Sequence, residues 1–345
     1  MHWSTAEMLG QAPPALRAHT ATRVGDRIFI FGGCDAKICY NDLYIFDTET
    51  FHWTRPIQSG EIPPPRRAHS ASLVELPGQR PKIFLFGGGS GPNYYNTLYT
   101  LDTVTLFWEK PMIHPPPPSL ASPTLHLGPG PRRAHTSWVW NGCFYLYAGG
   151  DGQRALSDIH MLPGGAAVKP AAPPAISSAS YGWVKLATTG TAPSSRGYQT
   201  SNLIGHQVVV YGGSDGHECF HDVHVLDLRT LTWKYAPVDR PVPRLSHSAL
   251  QVGSYLFVMG GHDGTRYTND VLLLNLVTMN WEVRQICGNP PLGRGYHSAI
   301  LHDSRVFLFG GYNGHTTFGD LCILDLSACA YLPQITTFAV AADIS

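Results

Sequence analysis

The decisive stretch of the sequence is Arg27-Ile28-Phe29-Ile30-Phe31-Gly32-Gly33, a run of β-forming residues closed by two glycines. Similar stretches recur along the chain and end at Gly87-Gly88, Gly149-Gly150, Gly212-Gly213, Gly260-Gly261 and Gly310-Gly311. Because the run is apolar at every position, we expect both faces of the strand to be buried. Six copies of one unit predict a repeat architecture for the whole chain.

Each double glycine lies in a constant context. An Arg-x-x-His motif opens the unit, an aliphatic strand ending in Asp follows the glycines, and a Trp comes next. This leaves four short strands, which we name a to d in chain order: strand b ends at the glycines, strand c ends at the Asp, and strand d carries the Trp. Repeats of this size predict propeller blades. The fold prediction is therefore all-β, a six-bladed β-propeller of four-stranded antiparallel blades.

The positions of the tryptophans predict how the ring closes. The sixth unit has no Trp after its strand c, whereas Trp3 precedes the first unit. We expect the N-terminal segment to supply strand d of the sixth blade, which removes an open sheet edge. The alternative is that Tyr331 and Leu332 form this strand. The predicted boundaries are a propeller at 1–332, Pro-rich loops at 110–131 and 163–180, and an unassigned tail at 333–345.

Charge and cysteine content exclude several classes of protein. The net charge is zero, from 24 basic and 24 acidic residues, so there is no basic footprint for nucleic acid. No stretch is long and apolar enough to span a membrane, and the N-terminus lacks a signal peptide. Seven cysteines form no Cys-x-x-Cys pair, which favours free thiols in a reducing compartment. We expect a soluble protein of the cytoplasm or nucleus that neither binds nucleic acid nor inserts into membranes.

These motifs resemble the kelch-repeat family, whose signature is a double glycine after an apolar strand followed by a spaced Trp. The resemblance covers residues 3 to about 332, and the connector from Gly60 to His69 is similar to that of kelch proteins without a BTB domain. The departures are Leu16 for the first Arg, Gln199 for a His, Thr97 for an Asp, and the missing sixth Trp. The resemblance implies a binding platform that acts as a scaffold, adaptor or ubiquitin-ligase substrate receptor. Some relatives of this kind are enzymes, so a metal-dependent oxidase or lyase is the alternative.

Five histidines at the start of strand a are the strongest metal signal in the sequence. They are His19, His69, His135, His247 and His297. Metal ligands must converge to about 2 Å from one ion, and residues on different blades usually stand too far apart. We therefore interpret these histidines as structural. No paired carboxylates, phosphate-binding loop or activated nucleophile stands out, so we predict no catalytic residue, metal or cofactor.

One face of the predicted propeller carries the residues best suited to binding. Strands that run up, down, up, down place the b–c and d–a loops on the same face, and these loops are rich in Arg, Tyr and His. Arg grips a carboxylate through a bidentate fork, and Arg and Tyr are enriched at interaction hot spots. The predicted ligand-binding residues are Arg66, Arg132, Arg154, Arg196, Arg244, Arg266, Arg294, Tyr94, Tyr312, His217, His262 and His315.

The predicted partner is a protein or peptide that offers an acidic segment or a C-terminal carboxylate. Two alternatives remain open from the sequence. The first Arg of each Arg-x-x-His motif could have a structural role, pairing with a neighbouring backbone group or Asp. The whole chain could also be an architectural module that partners recognise through the insert at 163–180 or through the outer edges of the blades.

Overall fold

The computed structural model describes residues 1–5, 7–112, 128–163, 182–327 and 340. Within these residues the protein is all-β, and six small sheets form a six-bladed propeller, as the sequence predicts. No helix among them is long and apolar enough to cross a membrane. Most of the predicted loops at 110–131 and 163–180, the segment with Tyr331 and Leu332, and most of the tail lie outside the described residues.

Every blade is an antiparallel meander of strands a, b, c and d. Strands a are Thr20–Val24, Ser70–Val74, Thr136–Trp140, Thr200–Ile204, Ser248–Val252 and Ser298–His302. Strands b are Arg27–Phe31, Lys82–Phe86, Cys143–Tyr147, Gln207–Tyr211, Tyr255–Met259 and Arg305–Phe309. Strands c are Leu43–Asp47, Leu98–Asp102, Ile159–Pro163, Val223–Asp227, Val271–Asn275 and Leu321–Asp325. Strands d are His52–Thr54, Phe107–Glu109, Val184–Leu186, Thr232–Ala236, Asn280–Glu282 and, for blade six, His2–Thr5.

The ring closes through the N-terminal strand, as the position of Trp3 predicts. His2–Thr5 pairs antiparallel with Leu321–Asp325, which places Trp3 opposite Leu324. Trp3 is only 3% exposed and packs in the core between blades five and six. The first and last parts of the propeller are therefore held in one sheet, which removes the free edge of blade six.

Within the described residues, four blades carry an extra outer strand that the sequence pattern does not predict. These two-residue strands are Leu9–Gly10, Ser59–Gly60, Thr189–Gly190 and Cys287–Gly288, and each pairs parallel with a strand d. A further short hairpin, Gly89–Ser90 with Asn93–Tyr94, extends the b–c loop of blade two. Two residues are too few to show a hydrophobic period, so sequence patterning cannot detect these pairings.

The core lies between neighbouring blades. Strand b of blade one is buried on both faces, from Ile28 to Phe31, as its apolar sequence predicts. Trp53 fills the gap to the neighbouring blade, with its ring 5.4 Å from that of Phe309 in blade six. Val340, far along the tail, is also buried and joins the core between blades four and five. Stacking of whole sheets therefore supplies the burial that a single blade lacks.

The double glycine is a contact point between blades. The N–H of Gly33 donates to the carbonyl of Arg66 in the next blade over 2.8 Å, and the equivalent bond recurs at each blade interface. Gly33 has φ +90°, and a Cβ there would lie 2.8 Å from the Cβ of His19. Blade three is shifted by one residue, because Ala148 (φ +63°) and Gly149 take the two positions. The assignment of Gly149-Gly150 from the sequence is therefore wrong by one residue in that blade.

A ring of six backbone hydrogen bonds surrounds the central axis. The third residue of each Arg-x-x-His motif donates its N–H to the carbonyl of the same residue in the preceding blade, over 2.8 to 3.0 Å. The residues of this inner ring are Ala18, Ala68, Ala134, Tyr198, Ser246 and Tyr296. All six have positive φ, between 52° and 63°. We call the entrance bounded by this ring and the b–c loops the mouth.

Candidate functional site

Five arginines predicted to bind a ligand lie inside the propeller instead. Arg66, Arg132, Arg196, Arg244 and Arg294 are between 0% and 4% exposed. The guanidinium groups bond to backbone carbonyls and, in four blades, to an aspartate of the same blade. We therefore correct the expectation that these side chains are presented to a partner, and the structural alternative describes them better.

The pair in blade four shows the geometry of these contacts. Arg196 donates from Nη1 and Nη2 to the two carboxylate oxygens of Asp222 over 2.6 and 2.9 Å, and from Nη1 to the carbonyl of Gly212 over 3.0 Å. Burial opposes ionisation of the carboxyl group, but hydrogen bonds from His224 and Arg196 outweigh it and lower the pKa of Asp222. This fork fixes the start of strand a against the start of strand c.

Blade two has the arginine without the aspartate. Thr97 stands where the other blades have Asp, and its carbonyl accepts the N–H of Gly87, as that of Asp222 accepts the N–H of Gly212. Arg66 is 0% exposed, and its Nη2 has no hydrogen-bond partner among the described residues. Burial lowers the pKa of Arg66 to about 10. Two carbonyls and the faces of neighbouring tyrosine rings stabilise its charge.

The histidines at the start of strand a form a buried ring of structural contacts. Each Nε2 lies within hydrogen-bond distance of a Ser or Thr hydroxyl at the start of strand a in the preceding blade, for example His135 with Ser70 at 3.0 Å. Burial lowers the pKa of His135 to about 3, so its imidazole is neutral at physiological pH. This position in blade four is taken by Gln199.

The mouth is basic on one side because of the second residue of the Arg-x-x-His motif. This residue is Arg17, Arg67 and Arg133 in blades one to three, but Gly, Leu and Gly in blades four to six. Arg17 lies 4.3 Å over the ring of Tyr312, and Arg133 lies 4.1 Å over that of Tyr94. Among the residues that the structure describes, none of these three arginines pairs with a carboxylate. Arg17 and Arg67 are partly exposed and remain available to an anionic ligand, whereas Arg133 is 9% exposed and donates from Nη2 to the carbonyls of Gly91 and Asn93.

The opposite side of the mouth is aromatic. Tyr198 and Tyr296 project from the inner ring with their ring centroids 5.8 Å apart, and Tyr267 stacks edge-on to Tyr312 at 6.1 Å. Burial raises the pKa of Tyr198, and Tyr296 and Tyr94 add to this, whereas Arg67 and Arg133 act in the opposite direction. The basic and aromatic sides therefore meet across a short distance at Tyr198.

Two pockets open near the mouth. The first, of about 220 Å³, lies between blades two, three and four and is lined by Tyr94, Arg133, Arg154 and Tyr198 together with several glycines. The second, of about 500 Å³, lies between blades five and six. Its lining includes His262, Arg266, Tyr267 and His315. The structure thus brings predicted residues together in two groups rather than in one ring.

The most exposed of the predicted residues lie on the rim of the same face. The side chains of Arg154 and Arg266 are 79% and 82% exposed, each with its Nε 3.8 Å from an aspartate three residues before it. His217 is exposed at the tip of its loop and lines neither of the two pockets. The rim is consequently mixed in charge, and the net basic character belongs to the mouth.

One group of residues on the opposite face has the composition of a metal site. Suitable ligand atoms of Glu49, His302 and Asp303 lie within 4.8 Å of one another. However, Arg23 lies 2.8 Å from His302 Nδ1, and Arg305 lies 3.0 Å from Glu49. Because Arg23 donates to Nδ1, the proton of a neutral ring sits on Nε2, which lies 3.2 Å from Asp26 and 3.5 Å from Asp303, and Arg305 pairs with Glu49. This group is better described as an ion-pair cluster. Among the described residues, the five histidines at the start of strand a contribute no group of metal ligands.

Sequence reasoning missed Arg17, Tyr198 and Tyr296 in the mouth. The signal was present in the two middle positions of the Arg-x-x-His motif. The outer positions repeat because they are buried, whereas the middle ones change from blade to blade. In a repeat protein, positions that escape the repeat are not required by the scaffold and are free to recognise a ligand.

The comparisons with known proteins agree with this architecture. The model of the KLHDC2/KLHL20/DRC7 Kelch-repeats domain family matches residues 1–119, 174–311 and 236–339. The chain is 27% identical over 261 residues to Acyl-CoA-binding domain-containing protein 4 of Arabidopsis thaliana, covering 73% of this chain and 35% of that protein. It is 28% identical over 247 residues to Kelch domain-containing protein 3 of Homo sapiens, covering 65% of this chain and 57% of that protein.

A third similarity is to Host cell factor of Drosophila melanogaster, at 30% identity over 290 residues, covering 72% of this chain and 18% of that protein. The chain thus spans less than two thirds of the length of these relatives. These similarities support a propeller that takes part in protein interactions. Because the family model covers more than half of the chain and the fold agrees with it, the chain belongs to the KLHDC2/KLHL20/DRC7 family of Kelch-repeat propellers.

Proposed function

We propose that this propeller binds a protein partner through its mouth and takes an acidic segment or a C-terminal carboxylate of that partner. The observation that carries the proposal is the set of Arg17, Arg67 and Arg133, which lie at the mouth without a carboxylate partner among the described residues. An arginine held beside an aromatic ring is oriented before a ligand arrives, so little side-chain entropy is lost on binding.

The aromatic side of the mouth supplies the second half of the recognition. Tyr198 is 40% exposed, Tyr296 packs beside it, and Tyr267 packs against Tyr296. Tyrosine offers a large apolar surface and one hydroxyl group, which suits the backbone and apolar side chains of a peptide. We propose that the carboxylate lies at the arginines and that the preceding residues run across the tyrosines towards the pockets and the rim residues Arg154, His217, Arg266 and His315.

The proposed role is that of a scaffold, adaptor or substrate receptor, acting in the cytoplasm or nucleus. Membership of the Kelch-repeat family supports an interaction module, and the balanced charge of the chain supports a protein partner rather than nucleic acid. Among the described residues, no group of metal ligands lies at the mouth.

The first experiment selects peptides from a random library with free carboxyl ends. Each selected peptide is then measured by fluorescence anisotropy in its free-acid and amidated forms. We expect R17Q combined with R67Q to weaken binding at least about tenfold, because a hydrogen bond to a charged group contributes about 1.5–3 kcal/mol. R229Q is the matched control, because Arg229 is an exposed cation on the opposite face.

Two results would overturn the proposal. One is that amidation and the double substitution both leave the affinity unchanged. The other is that R229Q weakens binding as much as the substitutions at the mouth. The cellular role is tested by affinity capture and mass spectrometry, comparing the wild type with the double variant after both have been shown to melt at the same temperature. Replacing Arg196, Arg244 and Arg294 by Ala is not a test of binding, because those buried side chains hold strand a to strand c within each blade.

A further inference from the structure

Two cysteines face each other in the b–c loop of blade one. Cys34 and Cys39 are bridge partners across a tight antiparallel turn. Backbone bonds flank them on both sides, from Tyr40 N–H to the Gly33 carbonyl over 2.9 Å and from Asp35 N–H to the Ile38 carbonyl over 3.1 Å. The pair is therefore a non-hydrogen-bonded antiparallel pair, in which Cα atoms lie about 4.5 Å apart. That spacing falls within the range of about 4.4–6.8 Å that a disulfide requires.

Both sulfur atoms point towards blade two and the mouth. Arg67 Nη1 donates to Cys34 Sγ over 3.6 Å, and Cys39 Sγ lies 4.0 Å from the carbonyl oxygen of Gly89. Cys34 is buried, whereas Cys39 is partly exposed. The pair thus has one partly exposed cysteine and one buried cysteine.

We propose that Cys34 and Cys39 form a redox site that closes to a reversible disulfide, with a glutathione-type disulfide as the oxidant. The Cys39 thiolate attacks one sulfur of the oxidant, which leaves a mixed disulfide on Cys39 and releases one glutathione thiol. Cys34 Sγ then attacks the Cys39 sulfur and releases the second. Two protein thiols are oxidised to one disulfide and one oxidant disulfide is reduced to two thiols, which balances the reaction.

Arg67 makes the second step faster than it would be in an apolar loop. The attacking species is a thiolate, and a guanidinium beside the sulfur stabilises that anion. The same guanidinium is one of the three cations of the mouth. Closing the disulfide therefore changes the sulfur group that Arg67 contacts, which would couple the redox state of the two cysteines to ligand binding at the mouth. Only this last consequence rests on the proposed function.

Blade four provides a matched comparison within the same chain. Ser214 and Cys219 are bridge partners with the same spacing as Cys34 and Cys39, and Cys219 Sγ lies 3.7 Å from the carbonyl of His262. Leu245 pairs with His262 as Arg67 pairs with Gly89, so the position of Arg67 is taken by a leucine in this blade. The substitution S214C thus creates the same pair of thiols without a cation at the position of Arg67.

The experiment treats the folded full-length chain with oxidised glutathione, blocks free thiols with an alkylating reagent, and maps the peptides by mass spectrometry over time. We expect a disulfide between Cys34 and Cys39, seen as a loss of about 2 Da for the two hydrogens removed. Both R67L and the new pair in S214C should close at least about tenfold more slowly. In R67L the mixed disulfide on Cys39 should accumulate.

The variant C34S separates the two steps, because it should stop at a stable glutathione adduct on Cys39. Formation of the adduct without ring closure in the wild-type chain would overturn the proposal. Closure of the S214C pair while the native pair stays reduced would also overturn it. If R67L closes at the wild-type rate, the role given to Arg67 is wrong. None of these measurements involves a ligand, so their outcome is independent of the peptide-binding experiment.

Discussion

Replacing Thr97 by Asp should stabilise the propeller, because blade two buries an arginine without the carboxylate that its counterparts have. Arg66 is 0% exposed and has an unpartnered Nη2. In blade four the equivalent arginine donates to Asp222 over 2.6 and 2.9 Å. Thr97 and Asp222 occupy the same backbone register, since the carbonyl of each accepts the first glycine N–H after strand b. The backbone at position 97 therefore places an aspartate side chain where it can reach Arg66.

The expected gain follows from what the new carboxylate would contact. It would form two hydrogen bonds to a charged group, each contributing about 1.5–3 kcal/mol. Part of this is lost to the desolvation of the carboxylate. That loss is limited, because the existing aspartates keep between 21% and 44% of their side chains exposed. We expect T97D to raise the free energy of unfolding by about 1–3 kcal/mol.

Urea unfolding followed by tryptophan fluorescence measures this difference, provided that the slope of the free energy against urea is the same for all variants. T97N is the control, because it has nearly the same shape as Asp and carries no charge. L16R is the reciprocal test in blade one, where Asp42 lacks the buried arginine and pairs with the exposed Arg55 at 2.6 Å. If T97D is no more stable than T97N, the arginine of blade two does not need a carboxylate and the reasoning is refuted.

Three further predictions test the scaffold by urea unfolding. G149A should lower the free energy of unfolding by more than about 3 kcal/mol, because its Cβ would lie 2.6 Å from the Arg133 carbonyl at a φ of +93°. G150A should lower it by less than about 1 kcal/mol, and equal losses for the two variants would contradict the one-residue shift in blade three. W3A, which removes a buried side chain, should lower the free energy of unfolding by about 3–5 kcal/mol, whereas H2A should leave it almost unchanged. Similar losses for the two variants would contradict closure by the N-terminal strand. The pKa of His135 is lowered from 6.5 to about 3, so between these pH values the unfolded chain binds a proton that the folded chain does not. The free energy of unfolding should therefore fall as the pH falls through that window. H135Q should reduce the slope of this free energy against pH by about 1.4 kcal/mol per pH unit, and parallel curves for the two proteins would contradict the prediction.

The blade architecture could be predicted from the sequence because burial imposes it on every repeat. An apolar run such as Ile28 to Phe31 specifies a strand that is covered on both sides, and a Trp at a fixed distance specifies the outer strand. Closure by Trp3 was predictable for the same reason, since one blade lacked a residue that all the others needed. Two-residue strands such as Ser59–Gly60 were not predictable, because the pairing depends on a neighbouring strand d rather than on a local pattern.

The candidate site was harder to predict, because its most regular residues are not the ones that face the mouth. The first Arg of each motif was predicted to bind a ligand because it recurs in most repeats, yet Arg196 and its equivalents are buried. Repetition in a ring of blades marks what the scaffold needs. Whether an arginine such as Arg17 points to solvent or to a carboxylate depends on neighbouring blades, which a single motif does not reveal.

The inner ring of backbone bonds has an electrostatic consequence. Peptide dipoles aligned in a helix add along its axis, and a helix end therefore attracts ions. Here the N–H to carbonyl links run head to tail around a closed circle. Dipoles that circulate in this way cancel by symmetry, so this ring of backbone bonds lends the mouth almost no net field. The charge that an approaching partner meets is then set by side chains, and exchanging those side chains can change the specificity while the hydrogen-bonded circle stays intact.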